Sequence, residues 1–149
     1  INDITKIISH PTTYENYLQE HTNENFNLIF DCTDNHENKI LSSQFCKKNK
    51  IAYVSISINS TEGIYFSQNY KKDTTSCFAC LFPQTDVNHR CLNSAMIGPV
   101  AGFVTSLACT KIIFALANSS NDLKSEINLI DLLTSDINKL QLADINCPH

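Results

Sequence analysis

Apolar residues along this chain gather in short runs divided by polar segments. "FNLIFD" (26–31) and "IAYVSISI" (51–58) are compact and rich in β-branched and aromatic residues, which suits strands, the first of them buried on both faces of a parallel sheet. Between them, "ENKILSSQFCKKN" (37–49) places Ile40, Leu41, Phe45 and Cys46 on one helical stripe and closes with basic residues, as a helix C-terminus favours. The segment "CTDNHENK" (32–39) then becomes a loop opening that helix, at the carboxyl end of a strand, where open α/β sheets bind ligands. Upstream, "SHPTTYENYLQEH" (9–21) predicts a short helix with Thr12 or Thr13 as N-cap and Tyr14, Tyr17 and Leu18 on one face.

Beyond residue 58 the pattern changes. A turn at Glu62–Gly63 leads into "IYFSQNY" (64–70), so the sheet acquires antiparallel neighbours, and "EINLIDLL" (126–133) with "KLQLAD" (139–144) makes a closing pair of strands. Residues 83–96 read as irregular. The longest apolar run, "IGPVAGFVTSLACTKIIFALA" (97–117), is long enough to span a bilayer. Lys111 inside it carries an insertion cost of ~2.5–3.5 kcal/mol, and Pro99 lies near its start, so a buried helix ending at "NSSND" is the expectation and a membrane is not. No repeat or low-complexity linker divides the chain, and a single α/β domain of this length buries roughly 70% of its unfolded surface.

Composition narrows the partners. With 17% charged residues and a net charge of −4, the chain lacks a basic nucleic-acid footprint, and nucleic acid is not expected. Seven cysteines are an odd number, and "INDITKIISH" has neither the basic start nor the apolar core of a signal peptide. Reduced thiols in a cytoplasmic protein are the expectation.

Two clusters carry candidate chemistry. In "CFAC", Cys77 and Cys80 stand one turn apart, and a C-x-x-C knuckle delivers two of the four donors of a structural zinc site. Cys147 is a distant third donor and His149 a possible fourth. A redox pair would call for a helix N-terminus directly after a strand, which "FACLFP" does not suggest, and two packed core thiols remain the plain alternative. In "DCTDN" (31–35), Asp31 or Asp34 can hold Mg²⁺ against nucleotide phosphates, while Asp34 and Asn35 can equally serve only to cap the helix starting near His36. The three glycines, Gly63, Gly98 and Gly102, form no G-x-G-x-x-G loop to cradle those phosphates.

"NLIFDCTDNHENKILSSQFCKKNKIAYVSISINSTEGIYF" (27–66), "CFACLFP" (77–83), "RCLNSAMIGPVAGFVTSLACTKII" (90–113) and the final "CP" (147–148) stand in the order and spacing of the ThiF/MoeB/HesA family, which this chain resembles along nearly its whole length. The resemblance implies the second part of a Rossmann-like ThiF fold with a mixed sheet and a zinc knuckle, the glycine-rich nucleotide loop lying ahead of residues 1–149. It implies adenylylation of the C-terminal glycine of a ubiquitin-like sulfur-carrier protein, with ATP and Mg²⁺, for thiamine or molybdenum-cofactor synthesis, by a homodimer.

Residue by residue, Asp34 and Asn35 correspond to the family's ATP–Mg²⁺ motif, and Lys39 to a basic residue shortly after it, a solvated helix lysine being the alternative. Asp31 is expected to sit at the strand's end for structural reasons. Cys77, Cys80 and Cys147 resemble three of the four zinc ligands. Cys91 matches a cysteine that some members use covalently, yet Leu92, Asn93, Ser94, Ala95 and Met96 follow it where the family commonly has Cys-x-x-x-Gly-Val, so a structural thiol is the competing reading. The rival function is a non-catalytic, zinc-holding ThiF-like module that docks a carrier protein or partner subunit.

Overall fold

The computed structural model of the chain describes residues 5–21, 24–72, 76–83, 95–118, 123–142 and 147. The elements run α1 (Tyr14–Glu20), β1 (Leu28–Asp31), α2 (His36–Asn49), β2 (Ala52–Asn59), β3 (Glu62–Asn69), α3 (Phe78–Leu81), α4 (Gly98–Ala117), β4 (Glu126–Asp131) and β5 (Asp136–Gln141). The strands form one sheet in the order β1-β2-β3-β4-β5. β1 lies parallel to β2, and every later pair is antiparallel, which is the mixed α/β sheet expected.

Two cores sit on opposite faces of this sheet. On one face Val100, Val104, Ala108 and Ile112 of α4 pack on Val54, Ile56, Tyr65 and Ile130. On the other, Cys46 of α2 and Phe78 of α3 pack on Tyr53, Phe66 and Ile127. The alternation of side chains along each strand divides them between the two layers, Val54 to the first and Tyr53 to the second. Gly63 permits the close approach of α4 to β3, since a Cβ there would run into the Val104 side chain. Thr13 caps α1 and Leu18 is its buried residue, as the sequence predicts.

Four expectations are corrected. The β2–β3 turn is not at Glu62–Gly63: Asn59 pairs with Glu62 in the ladder, and the reversal falls on Ser60 and Thr61, with Ser60 at φ 54°. β1 is not buried on both faces. It is the edge strand of the described sheet, its apolar residues are half-buried, and only Asp31 is fully enclosed.

α4 is not a fully buried helix either. Val100, Val104, Ala108, Ile112 and Ala115 form its buried stripe, while Phe103, Ile113, Phe114 and Leu116 stay exposed. By length and composition α4 could cross a membrane, but here it packs on the sheet, and Lys111 is engaged there. Its ammonium pairs with Glu126 of β4 and lies 4.7 Å from the centre of the Tyr65 ring. Lys139 of β5 meets the same carboxylate at 2.6 Å. Finally, the buried stripe of α2 is mostly polar: Lys39, Ser42, Ser43 and Cys46 face inward, whereas Ile40, Leu41 and Phe45 are half-buried.

Candidate functional site

Two places gather chemistry, and α2 touches both. The first is the junction of β1 and α2. Asn35 is the N-cap of α2, its side-chain oxygen accepting from the Glu37 N–H at 2.8 Å and the Asn38 N–H at 3.4 Å. Asp34, next to it, is exposed at the carboxyl end of the parallel strand. A single exposed carboxylate can give Mg²⁺ one of the one or two carboxylates it takes, and the adjacent helix N-terminus favours the phosphates that would complete the ion's shell.

Asp31 has the opposite setting. It is 2% exposed, and its Oδ1 accepts from the Thr33 N–H at 2.8 Å and the Thr33 hydroxyl at 2.7 Å. Its Oδ2 lies 2.9 Å from the Ser42 hydroxyl, which also reaches the Asn38 carbonyl at 2.6 Å, and accepts from the Tyr53 hydroxyl at 3.0 Å, which also reaches the Lys39 carbonyl at 3.2 Å. Burial by itself would raise its pKa, but the Thr33 bonds, the Lys39 charge and Ser42 outweigh that and hold it below the ordinary carboxylate range.

Lys39 is not the solvated helix lysine of the alternative reading. It is 3% exposed, donates to the Ile56 carbonyl at 2.8 Å and lies 3.7 Å from Asp31 Oδ1. Burial lowers its pKa, and the Asp31 charge pushes the other way. The ammonium therefore points into the protein, behind the loop. Pattern reading missed Ser42 and Tyr53 as partners of this carboxylate. The only signal was a pair of serines on the inward stripe of a helix otherwise read as apolar.

The second place is the cysteine cluster. Cys77 precedes α3, and the Cys80 N–H donates to its carbonyl at 3.1 Å, which brings the two thiols of the knuckle together. Their sulfurs lie 3.6 Å apart, Cys147 reaches Cys80 at 3.2 Å, and all three Sγ atoms lie within 4.8 Å of one another. A tetrahedral ion with Zn–S bonds of about 2.3 Å holds its sulfurs about 3.8 Å apart, so the donors fit in kind and in spacing. Burial, followed by the contact with the Cys147 thiol, pushes Cys77 up to about 12, which describes a protonated thiol that a cation would reverse.

Ser43 ties this cluster to α2, accepting from the Phe78 N–H at 3.1 Å and sharing a 2.6 Å bond with the Tyr70 hydroxyl. Among the described residues three cysteines make up this group. Cys91 and His149 lie outside the described residues.

The profile of the ThiF family matches residues 1–149. The chain is 24% identical over 128 residues to the adenylyltransferase and sulfurtransferase MOCS3 of Dictyostelium discoideum, a match covering 84% of this chain and 30% of that protein. To MOCS3 of Caenorhabditis briggsae it is 28% identical over 112 residues, covering 72% and 27% respectively. Among solved structures, E. coli MccB with succinimide superposes with a TM-score of 0.67 at 14% identity, over 95% of this chain and 44% of that one. MccB with MccA-N7isoASN gives 0.68 at 14% identity over 93% and 44%. These superpositions show a shared fold.

Proposed function

The chain belongs to the ThiF family, and from that membership we propose that the full-length protein adenylates the C-terminal carboxylate of a ubiquitin-like sulfur-carrier protein, using ATP. The observation that carries this reading is the placement of Asp34, exposed on a short capped loop at the carboxyl end of β1, where α/β sheets receive their ligands. The names of the curated relatives, which join adenylyltransferase with sulfurtransferase, support a carrier that later receives sulfur, and the family resemblance is what suggests thiamine or molybdenum-cofactor synthesis as its destination.

In the reaction a carboxylate oxygen of the carrier attacks the α-phosphorus of ATP, the bond from that phosphorus to the bridging oxygen breaks, and pyrophosphate leaves with the electron pair. Asp34 is the residue that would hold Mg²⁺, and the bound ion offsets negative charge on the phosphates. Asn35 holds the loop by capping α2. Cys77, Cys80 and Cys147 would hold a structural zinc, which cross-links the knuckle to the distant end of the chain. Cys91 plays no part in adenylation here and is reserved for a later sulfur step.

The test is ATP–pyrophosphate exchange by the full-length protein with ATP, Mg²⁺ and a sulfur carrier of ubiquitin fold ending in glycine. Labelled pyrophosphate should enter ATP only when the carrier is present, and Cys91→Ala should exchange as fast as its parent. A folded full-length protein that shows no exchange with any such carrier would leave the non-catalytic docking module as the better reading.

A further inference from the structure

Asp34 has a fixed residue on each side. Asn35 is locked as the cap of α2, and Thr33 is bound through both its N–H and its hydroxyl to Asp31. We propose that Asp31 and Lys39 are the positioning pair of this loop: the buried carboxylate sets the course of Thr33, and with it the place of the Asp34 carboxylate, while Lys39, anchored to the Ile56 carbonyl, keeps Asp31 seated. The inference rests on reading Asp34 as the Mg²⁺–ATP contact.

Asp31 links three elements at one point. Thr33 belongs to the loop, Ser42 to α2 and Tyr53 to β2, and all reach the same two oxygens. A carboxylate has about four acceptor positions, and the Thr33 N–H and hydroxyl, the Tyr53 and Ser42 hydroxyls and the nearby ammonium surround them, so Asp31 is turned to the protein and not to a metal. The two acids of "DCTDN" thus divide the work, Asp31 facing inward and Asp34 outward.

Lys39 completes the arrangement from the opposite side. Its bond to the Ile56 carbonyl fixes the ammonium to β2, one pleat beyond Ser55, the residue paired with Asp31 across the ladder. An ion pair enclosed this way is a poor device for stability alone, because apolar residues of the same volume do as well or better. Directional bonds that place one neighbouring side chain are what such a pair supplies and an apolar contact does not. Displacing a reacting group by about 1 Å can cost on the order of 100-fold in rate.

The experiment uses the full-length protein and compares parent, Asp31→Asn, the neutral double variant Asp31→Asn/Lys39→Met, and Asp34→Asn. Three quantities are read: melting temperature, ATP binding titrated with Mg²⁺ and again in EDTA, and amide hydrogen exchange of residues 33–35. The double variant should recover most of the melting temperature lost by Asp31→Asn. It should still need about tenfold more Mg²⁺ for half-maximal ATP binding, keep its affinity in EDTA within about twofold, and exchange the loop amides about tenfold faster.

If Asp31→Asn fails to fold, the double variant carries the test by itself. A folded double variant with the parent's Mg²⁺ requirement and loop exchange would reduce Asp31 and Lys39 to structural residues. Asp34→Asn separates the two levels. A raised Mg²⁺ requirement there, without one in the double variant, overturns the positioning pair only, whereas an unchanged requirement in Asp34→Asn overturns the reading of Asp34 itself.

Discussion

Single residues near the β1–α2 junction differ in ways their letters do not announce. Asn35 was readable as a cap, because a short polar side chain before a helical stripe can accept from the first N–H groups of the helix, whatever else its loop does. Asn35→Ala should cost about 1 kcal/mol in chemical denaturation, with an unchanged denaturant slope. Lys39 was not readable. On a helical wheel a lysine faces water unless something buried calls it inward, and here that something is Asp31, brought beside it only by the fold. Lys39→Met alone removes one partner of a buried ion pair and leaves a carboxylate facing a methyl group. It should destabilise by about 3–5 kcal/mol, several times the Asn35 cost. Equal melting temperatures for Lys39→Met and its parent would mean that Lys39 is solvated after all.

At the scale of elements, the hydrophobic pattern located the five strands, α1, α2 and α4, but it missed the short α3 in "FACLFP", which the sequence did not suggest as a helix, and it misjudged which sides are covered. α4 shows why: its run is apolar all round, so periodicity could not mark the face against the sheet, and Gly63 opposite Val104 marks it only once β3 is in place. α2 erred the other way, its inward stripe being polar because Ser42 and Ser43 bond outward to neighbouring elements. Ser43 joins α2 to the cysteine knuckle through the Phe78 N–H. The cysteine pair was legible from C-x-x-C spacing, and the approach of Cys147 was anticipated from its chemistry and from the family resemblance. The full-length protein purified without chelator should contain one zinc per chain, and Cys77→Ser should melt far lower, since structural zinc in peptides contributes ~10–16 kcal/mol of apparent folding free energy. Elemental analysis and thermal melting of both proteins decide it. Absence of metal together with unchanged melting would leave the three thiols as packing.

Across the whole molecule, one mixed sheet separates two apolar layers, and each layer is tied to it by a buried acid. Asp31 serves the α2 side, and Glu126, held by Lys111, Lys139 and Asn128, serves the α4 side. Burial would raise the Glu126 pKa, but the two lysines and Asn128 lower it below its ordinary value, as Thr33 and Lys39 do for Asp31. The unfolded chain therefore binds protons at higher pH than the folded one. The stabilisation is fully present above the ordinary carboxylate range, about pH 4, and is lost as pH falls through the lower folded values. Melting temperature should fall on acidification below about pH 5, and Glu126→Gln should flatten that fall. The same sheet sets Asp34 at the strand end, and the most direct test of that assignment is carrier-dependent ATP–pyrophosphate exchange by full-length Asp34→Asn. The amide keeps the shape of the side chain and removes its charge, so exchange should drop by about 100-fold or more with the fold intact. Exchange at the parent's rate in that variant would contradict the account.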